Sequence, residues 1–282
     1  MAAGILEDLR LALDLADMAH VLALQRFRSS DLHISTKPDR TPVTDADRSV
    51  EQALRAALRD AHPHDAVLGE EFGGTRTAGR QWIIDPIDGT TNFLRGLPIW
   101  ATLIALAVDG DPILGVVAAP ALRRRWWGAR GHGAWAATVT DHGTGTPSPL
   151  AVSGVGRLSD ALLSYNSLQG WDDAGALDGL LALSRSVWRT RALGDFWSYV
   201  LVAEGQVDIA GEHDLKVYDL AALVPIVTEA GGRFTALDGR PGPWEGTALA
   251  TNGLLHDEVL GILESPSLGS GSPGSHPSPS AR

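Results

Sequence analysis

Cysteine is missing altogether from the 282 residues, which excludes a disulfide-stapled scaffold. Positive charge is scarce: 23 Lys and Arg face 34 Asp and Glu, a formal charge of −11. That balance argues against a broad surface for nucleic-acid backbone, although a local basic patch could survive it. Long apolar runs are lacking too. The longest uncharged apolar stretch, Leu97 to Val108, is followed by Asp109 and Asp111, well short of the roughly 20 residues a membrane helix needs. Acids stand among the first ten residues where an export signal carries positive charge, so the cytoplasm is the expected location. Internal repeats, a Gly-rich nucleotide fingerprint and metal-ligand spacing among the nine histidines are also missing. What is present, 44% hydrophobic and 20% charged residues, excludes a disordered chain and suffices for one large layered unit or two modest domains.

Ile5, Leu9, Ala12, Leu13, Ala16, Ala23 and Phe27 recur on one face and predict an amphipathic first helix. Thr44 followed by Asp47 reads as a capping-box variant opening a second helix, with Val50, Ala53, Leu54, Ala57 and Leu58 at helical spacing. Then come short apolar runs punctuated by Gly, Pro and Asp, which read as buried strands: Ala66 to Leu68, Trp82 to Ile84, Ala101 to Val108 and Gly115 to Ala119. The loop from Asp141 to Pro149 divides an N-terminal α+β half (1–145) from a C-terminal α/β half (146–263). In the second half helical runs (Asp172 to Leu183, Phe196 to Glu204, Asp219 to Glu229) alternate with strand candidates at Val207 to Ile209, Arg233 to Thr235 and Thr247 to Thr251. Pro225 falls inside the last long helix and should kink or interrupt it. Residues 264–282 are Ser, Pro and Gly-rich and predict a disordered tail.

The segment richest in chemistry is Trp82-Ile83-Ile84-Asp85-Pro86-Ile87-Asp88-Gly89-Thr90-Thr91-Asn92-Phe93. An apolar strand runs into two aspartates, with Pro86 biasing Asp85 toward extended backbone so that the carboxylates can converge. Gly89 permits close approach of a ligand, and free amides at Gly89 and Thr90 suit a phosphate. Carboxylates converging there repel unless cations separate them, and hard oxygen ligands point to Mg²⁺. Gly69-Glu70-Glu71 places a glutamate at a second strand end, and Tyr218-Asp219-Leu220-Ala221-Ala222 places Asp219 at a helix head. Taken alone, Glu70 reads as a solvated loop acid and Asp219 as a helix cap.

Together, Gly69 to Glu71, Trp82 to Asn92, Tyr218 to Ala222 and Glu229-Ala230-Gly231-Gly232 resemble the inositol monophosphatase family of metal-dependent phosphatases, from about residue 5 to about 263. Arg125 to Gly131 and Arg191 to Phe196 carry a narrower resemblance to its histidinol-phosphate phosphatase branch. The resemblance implies an α+β, layered αβαβα sandwich of the inositol monophosphatase and fructose-1,6-bisphosphatase type, with the site in a cleft between the halves. It implies a Mg²⁺-dependent phosphomonoesterase acting on L-histidinol phosphate, and a homodimer. Glu70, Asp85 and the Ile87 carbonyl would hold one ion, Asp85 would bridge to a second completed by Asp88 and Asp219, and Asp47 would approach a third through water. Thr90 with Glu70 would orient and deprotonate the attacking water, with phosphate across the metals and the Gly89 and Thr90 amides. Arg191, Asp195 and Glu212 fall where the family contacts the leaving alcohol, and an acid pair suits a cationic one. The same three also read as a surface salt-bridge set.

Two other functions stay open at this level: an inositol-1-phosphate or broader sugar-phosphate phosphatase, and a regulatory protein bound to RNA polymerase, which the acidic balance disfavours. Departures from the family pattern are Tyr218 in place of a usual Trp, and Pro225. Lys37 falls in the region of a loop over the site in relatives, and serves there as a phosphate contact or a solvated lysine. Trp126 and Trp127, adjacent on a strand, should face opposite sides, one in the core and the other in the core or a dimer interface. Arg123-Arg124-Arg125 reads as a solvated turn in preference to an anion patch.

Overall fold

The computed structural model describes residues 2–36, 42–140 and 143–264, with side chains from Gly4 onward. Lys37, Asp141 and His142 of the proposed boundary loop, and the segment from Ser265 lie outside the described residues.

Helix α1 (Ala2–Arg26) buries Ala12, Ala16 and Ala23 of the expected face, with Leu15 and Ala19 beside them, while Ile5, Leu9 and Leu13 are partly buried. A two-stranded antiparallel ribbon, β1 (Ile34–Thr36) and β2 (Pro42–Thr44), delivers the chain to α2 (Asp45–Ala61). Thr44 closes the expected capping box: its hydroxyl accepts from the amides of Ala46 and Asp47, while the Asp47 carboxylate returns to the Thr44 amide. There follow β3 (Ala66–Gly69), β4 (Arg80–Asp88), the short α3 (Thr90–Leu94), β5 (Ala101–Val108), β6 (Asp111–Ala119), β7 (Arg124–Ala129), β8 (Ala134–Thr140), β9 (Gly143–Thr144) and β10 (Ser148–Pro149). These strands make one twisted sheet in the order β10-β8-β7-β6-β5-β4-β3, with β9 against β8. Its pairings are antiparallel except β3 with β4, which run parallel.

The rest of the chain contributes β11 (Leu162–Tyr165), α4 (Leu168–Asp173), α5 (Leu177–Ser186), β12 (Arg189–Ala192), α6 (Asp195–Ala203), β13 (Ile209–His213), α7 (Val217–Leu220), α8 (Leu223–Glu229), β14 (Arg233–Thr235), β15 (Thr247–Thr251) and α9 (His256–Glu264). The second sheet has the order β12-β11-β13-β15-β14. Five layers result, the αβαβα sandwich the resemblance implied. Helices α1 and α2 cover the outer face of the large sheet around Val50, Leu54, Trp82, Ile104 and Trp127. Helices α6 to α8 fill the space between the sheets, where Val117 and Trp126 of one meet Val200, Leu223 and Val227, with Ala210 and Ala250 of the other. Helices α4, α5 and α9 close the far side around Leu163, Trp171 and Val259.

The middle layer lies close on the large sheet because two glycines face it. Gly115 and Gly128 are cross-strand partners, and a Cβ at the first would sit 2.0 Å from the Ala222 carbonyl, at the second 2.7 Å from that of Pro225. Backbone on both sides leaves nothing to move aside. Gly115→Ala is therefore expected to destabilise the protein by about 3 kcal/mol or more, read as a lowered denaturant midpoint.

Several sequence expectations change in detail. The run Asp172 to Leu183 is two helices, broken at 174–176, where Gly175 takes φ of 68°. The run Asp219 to Glu229 is also two, interrupted at Ala221 and Ala222. Pro225 sits in the first turn of α8, where its missing N–H costs nothing. Of the three arginines only Arg123 lies exposed in a turn; Arg125 is buried in β7 and paired with Asp17, and Arg124 pairs with Glu204. Trp126 and Trp127 do face opposite layers, and both are core. Asp8, on the acidic side of α1, is buried because Arg80 grips its two oxygens at 2.8 and 2.9 Å.

Candidate active site

Two features of the large sheet bring the acids together. Because β3 and β4 are parallel, with Gly69 opposite Ile84, their C-terminal ends lie side by side and Glu70 follows directly beside Asp85. The Glu70 amide donates to the Ile84 carbonyl at 3.2 Å. The second feature is a bulge: Asp85 pairs with Leu103 but Asp88 with Ala101, so β4 carries one residue more than β5 across this step. Residues three apart on a regular strand point to opposite faces, and the extra residue brings both aspartates to one side. Pro86 sits in the bulge with its carbonyl taken by the Thr102 hydroxyl at 2.8 Å, and the Ile87 amide donates to Asp85 Oδ1 at 2.9 Å.

Across the cleft, α7 presents Asp219, whose Oδ2 accepts from the Lys216 amide at 2.6 Å. The helix-cap and ligand readings of Asp219 are thus compatible, since its side chain also meets that of Asp85. One carboxylate oxygen from each of Asp85, Asp88 and Asp219 lies within 4.8 Å of the other two. Asp88 Oδ2 also accepts from the Phe196 amide at 2.7 Å, tying the end of β4 to the start of α6.

Among the described residues Lys216 lowers Asp219 only in part, and burial with mutual repulsion dominates the set. Burial holds Asp85 well above the ordinary carboxylate range, reinforced by Glu70, Asp88 and Asp219. Asp88 is raised by burial and then by Asp195 and Asp219, against the pull of the Phe196 amide. Asp219 is pushed up to about 7, chiefly by burial. Hard oxygen donors, convergent and mutually repelling when ionised, are the donor set that suits a divalent cation such as Mg²⁺ or Ca²⁺.

Asp47 comes in from α2, raised by burial despite its bonds to Thr44. The Thr90 hydroxyl stands 3.3 Å from Asp47 Oδ1 and 3.1 Å from the Ile87 carbonyl. Gly89, with φ of 80°, turns the chain into α3, and a Cβ there would meet the Ile99 carbonyl at 3.1 Å and Asp195 Oδ2 at 3.4 Å. Asp195 itself takes φ of 51° and accepts from Asn92 Nδ2 at 3.0 Å. Burial raises it to about 6. Glu212, on β13, is buried with Oε1 unpartnered among the described residues, and burial followed by Asp195 and Asp219 lifts it well above the usual range.

Of the proposed site residues, Glu70, Asp47, Asp85, Asp88, Gly89, Thr90, Asp195, Glu212 and Asp219 converge on this cleft. Arg191 does not join them. It is exposed on β12, at the edge of the second sheet, and its guanidinium donates to the adjacent Thr190 carbonyl at 2.8 Å. Two further residues join the site, Asn92 from the string that follows Asp85 and Tyr199, which carried no sequence signal. Asn92 orients Asp195 across 103 residues of chain. Tyr199, one turn after Asp195, keeps a buried hydroxyl unpartnered among the described residues, and its phenol is raised by burial and then by Glu212.

The chain belongs to the inositol monophosphatase family, whose family model matches residues 6–266. The family is metal-dependent, and the buried carboxylates can hold a metal. A histidinol-phosphatase of Mycobacterium tuberculosis is 59% identical over 255 residues, covering 90% of this chain and 96% of that protein. A histidinol-phosphatase of Streptomyces coelicolor is 55% identical over 262 residues, covering 92% and 97%. Among solved structures, an inositol monophosphatase from Zymomonas mobilis superposes with a TM-score of 0.79 at 34% identity, over 92% of this chain and 98% of that one. No helix among the described residues is long and apolar enough to cross a membrane.

Proposed function

We propose that this protein is a Mg²⁺-dependent phosphomonoesterase that hydrolyses L-histidinol phosphate to L-histidinol and phosphate. The observation that carries the chemistry is the convergence of Asp85, Asp88 and Asp219 within 4.8 Å, next to Glu70. Identity of 55 and 59% to two histidinol-phosphatases supports the substrate. Glu70, Asp85, the Ile87 carbonyl, Asp88 and Asp219 would hold two Mg²⁺, and Asp47 would reach a third through water. Bound there, Mg²⁺ neutralises the acids, polarises the phosphoryl oxygens and lowers the pKa of water.

The chain's own groups do the rest. The proton of the Thr90 hydroxyl is committed toward Asp47 Oδ1 or the Ile87 carbonyl, so its lone pairs face outward as an acceptor. A water between Thr90 and Glu70 is oriented by the first and gives its proton to the second. The Gly89 and Thr90 amides, at the start of α3, take phosphate oxygens. In-line departure of the alcohol then points it toward Asp195 and Glu212. Two raised, buried acids with an unpartnered oxygen are a receptor for an ammonium, the charge histidinol carries. The protein acts as a homodimer in the cytoplasm on this reading.

Phosphate release from L-histidinol phosphate, inositol-1-phosphate, fructose-1,6-bisphosphate and 3′-phosphoadenosine-5′-phosphate, with Mg²⁺ and then EDTA, tests it. Preference for histidinol phosphate that EDTA erases is expected. Preference for another ester would keep the chemistry and discard the substrate.

The role of Asp195 can be separated with Asp195→Asn, which retains its shape and its acceptor for Asn92 Nδ2. The expected result is a loss of about tenfold or more in kcat/KM for histidinol phosphate, the worth of a charged hydrogen bond, against about twofold for inositol-1-phosphate. Equal losses on both would remove selectivity from Asp195.

A further inference from the structure

Glu51 is a fully buried carboxylate on α2, and none of the roles above uses it. It lies one helical turn beyond Asp47, and Arg55 one turn beyond that, so the three line a single face of the helix. Asp47 reaches the cleft, and the other two grip the turn that follows β3. Glu51 Oε2 accepts from the Glu71 amide at 2.7 Å and Oε1 from the Phe72 amide at 3.2 Å. Arg55 Nε donates to the same Oε1 at 2.6 Å, and its two other nitrogens donate to the Gly73 and Val67 carbonyls at 2.5 and 3.4 Å.

The amides of this turn have partners as a result. The Gly69 amide goes to Gly73, that of Glu70 to Ile84, and the next two to Glu51. Four consecutive amides around Glu70 therefore have fixed partners, two of them supplied by one side chain. Gly69 completes the fit, because a Cβ there would fall 2.0 Å from Glu51 Oε1. A turn of this kind on a strand end would otherwise rest on one neighbour, β4. The clamp refers it instead to α2, the helix that also carries Asp47.

We propose that Glu51, held by Arg55, is the positioning residue for Glu70, fixing the turn so that the Glu70 carboxylate meets the metal together with Asp85. The inference rests on the assignment of Glu70 as a metal ligand given above. Both oxygens of Glu51 are taken by Arg55 and the Glu71 and Phe72 amides, so it would act without contacting the metal. Its effect is carried by the amides of Glu71 and Phe72, and it reads out as metal affinity.

The test is Mn²⁺ binding to the full chain by isothermal titration, together with the Mg²⁺ concentration that half-saturates phosphate release. Glu51→Gln keeps the volume but turns one acceptor into a donor facing an amide. It should weaken Mn²⁺ binding about tenfold and raise the Mg²⁺ requirement in proportion, as loss of a partner that orients a ligand does. At saturating Mg²⁺ the KM for histidinol phosphate should stay near the wild-type value. Arg55→Lys, a milder loosening of the clamp, should move metal affinity in the same direction by a smaller factor. Val50→Ala, a core truncation on the same helix, should lower the melting temperature and leave metal affinity unchanged.

A folded Glu51→Gln with wild-type Mn²⁺ affinity overturns the proposal. If that variant does not fold, wild-type affinity in Arg55→Lys overturns it. Glu70→Gln is the separate control. Should that variant bind Mn²⁺ as tightly as the wild type, the assignment of Glu70 itself fails, whatever Glu51 does.

Discussion

Asp85→Asn is expected to lower phosphate release by at least about a thousandfold, a loss on the scale of removing a principal electrostatic element of a site. The same variant, stripped of metal, should melt at the wild-type temperature or a few degrees above it. Both halves follow from the position of Asp85. Asparagine retains an oxygen for the Ile87 amide, 2.9 Å from Asp85 Oδ1, so the bulge that shapes the end of β4 keeps its internal bond. What disappears is a buried charge facing Glu70, Asp88 and Asp219, which only raises the energy of the folded state when no cation is bound. With a cation bound, the lost charge is one that would help hold it. Phosphate release with Mg²⁺ and a melt in EDTA check the two parts separately. More than a tenth of wild-type activity would remove Asp85 from the centre of the site, and a collapse of the metal-free melt would make it structural.

The second large effect is a reversal of the usual acid sensitivity. Asp219 is raised from an ordinary value of 3.8 to about 7 and Asp195 to about 6, with Asp85, Asp88 and Glu212 also raised by burial. An acid raised by folding is protonated in the folded state where the unfolded chain has already lost the proton. Its contribution is present in full below the unfolded value and is lost as pH climbs through the folded one. Metal-free protein should thus lose stability between about pH 4 and about pH 7.

Two histidines oppose this. His256, buried between the Thr235 and Thr251 hydroxyls, is lowered by burial to about 4, and burial also lowers His213. They take stability away as pH falls below their ordinary value. A comparison with and without Mg²⁺ at each pH isolates the cleft, because His256 is held by strands β14 and β15 and not by the carboxylates. The increment in melting temperature due to Mg²⁺ should be several degrees larger at about pH 8 than at about pH 5.5, where protons compete for the same oxygens. An equal increment at both would mean the raised acids are not where the metal binds.

The sequence disclosed those parts of the site that are contiguous. Asp85 to Thr90 sits in one string, and Pro86 with Gly89 announces that the strand ends there in an unusual way. What the string could not disclose is the mechanism of convergence, because a bulge is defined by the partner strand, Leu103 and Ala101, and not by β4. Asp219 was reachable only through resemblance, since a lone aspartate at a helix head has an ordinary explanation that the structure also bears out in the Lys216 amide. Strands β11 and β12 escaped notice for physical reasons. Leu162 to Tyr165 is too short to show a period, and Arg189-Thr-Arg-Ala192 is an edge strand without an apolar face. Buried Asp8, Glu51 and Arg125 look like surface charges in the sequence, because each is neutralised by a partner that tertiary structure alone supplies.

Asp88 and Asp85 belong to one end of β4, whereas Asp219 is carried by α7 of the middle helical layer. A cation seated among them would close a chain loop of about 130 residues, the span over which a covalent cross-link restricts an unfolded chain by several kcal/mol. In a protein with no cysteine, the ion would then serve as a reversible rivet. It would tie the large sheet to the middle helical layer through the carboxylates that hold it, and removing it would loosen the architecture and the chemistry in one step.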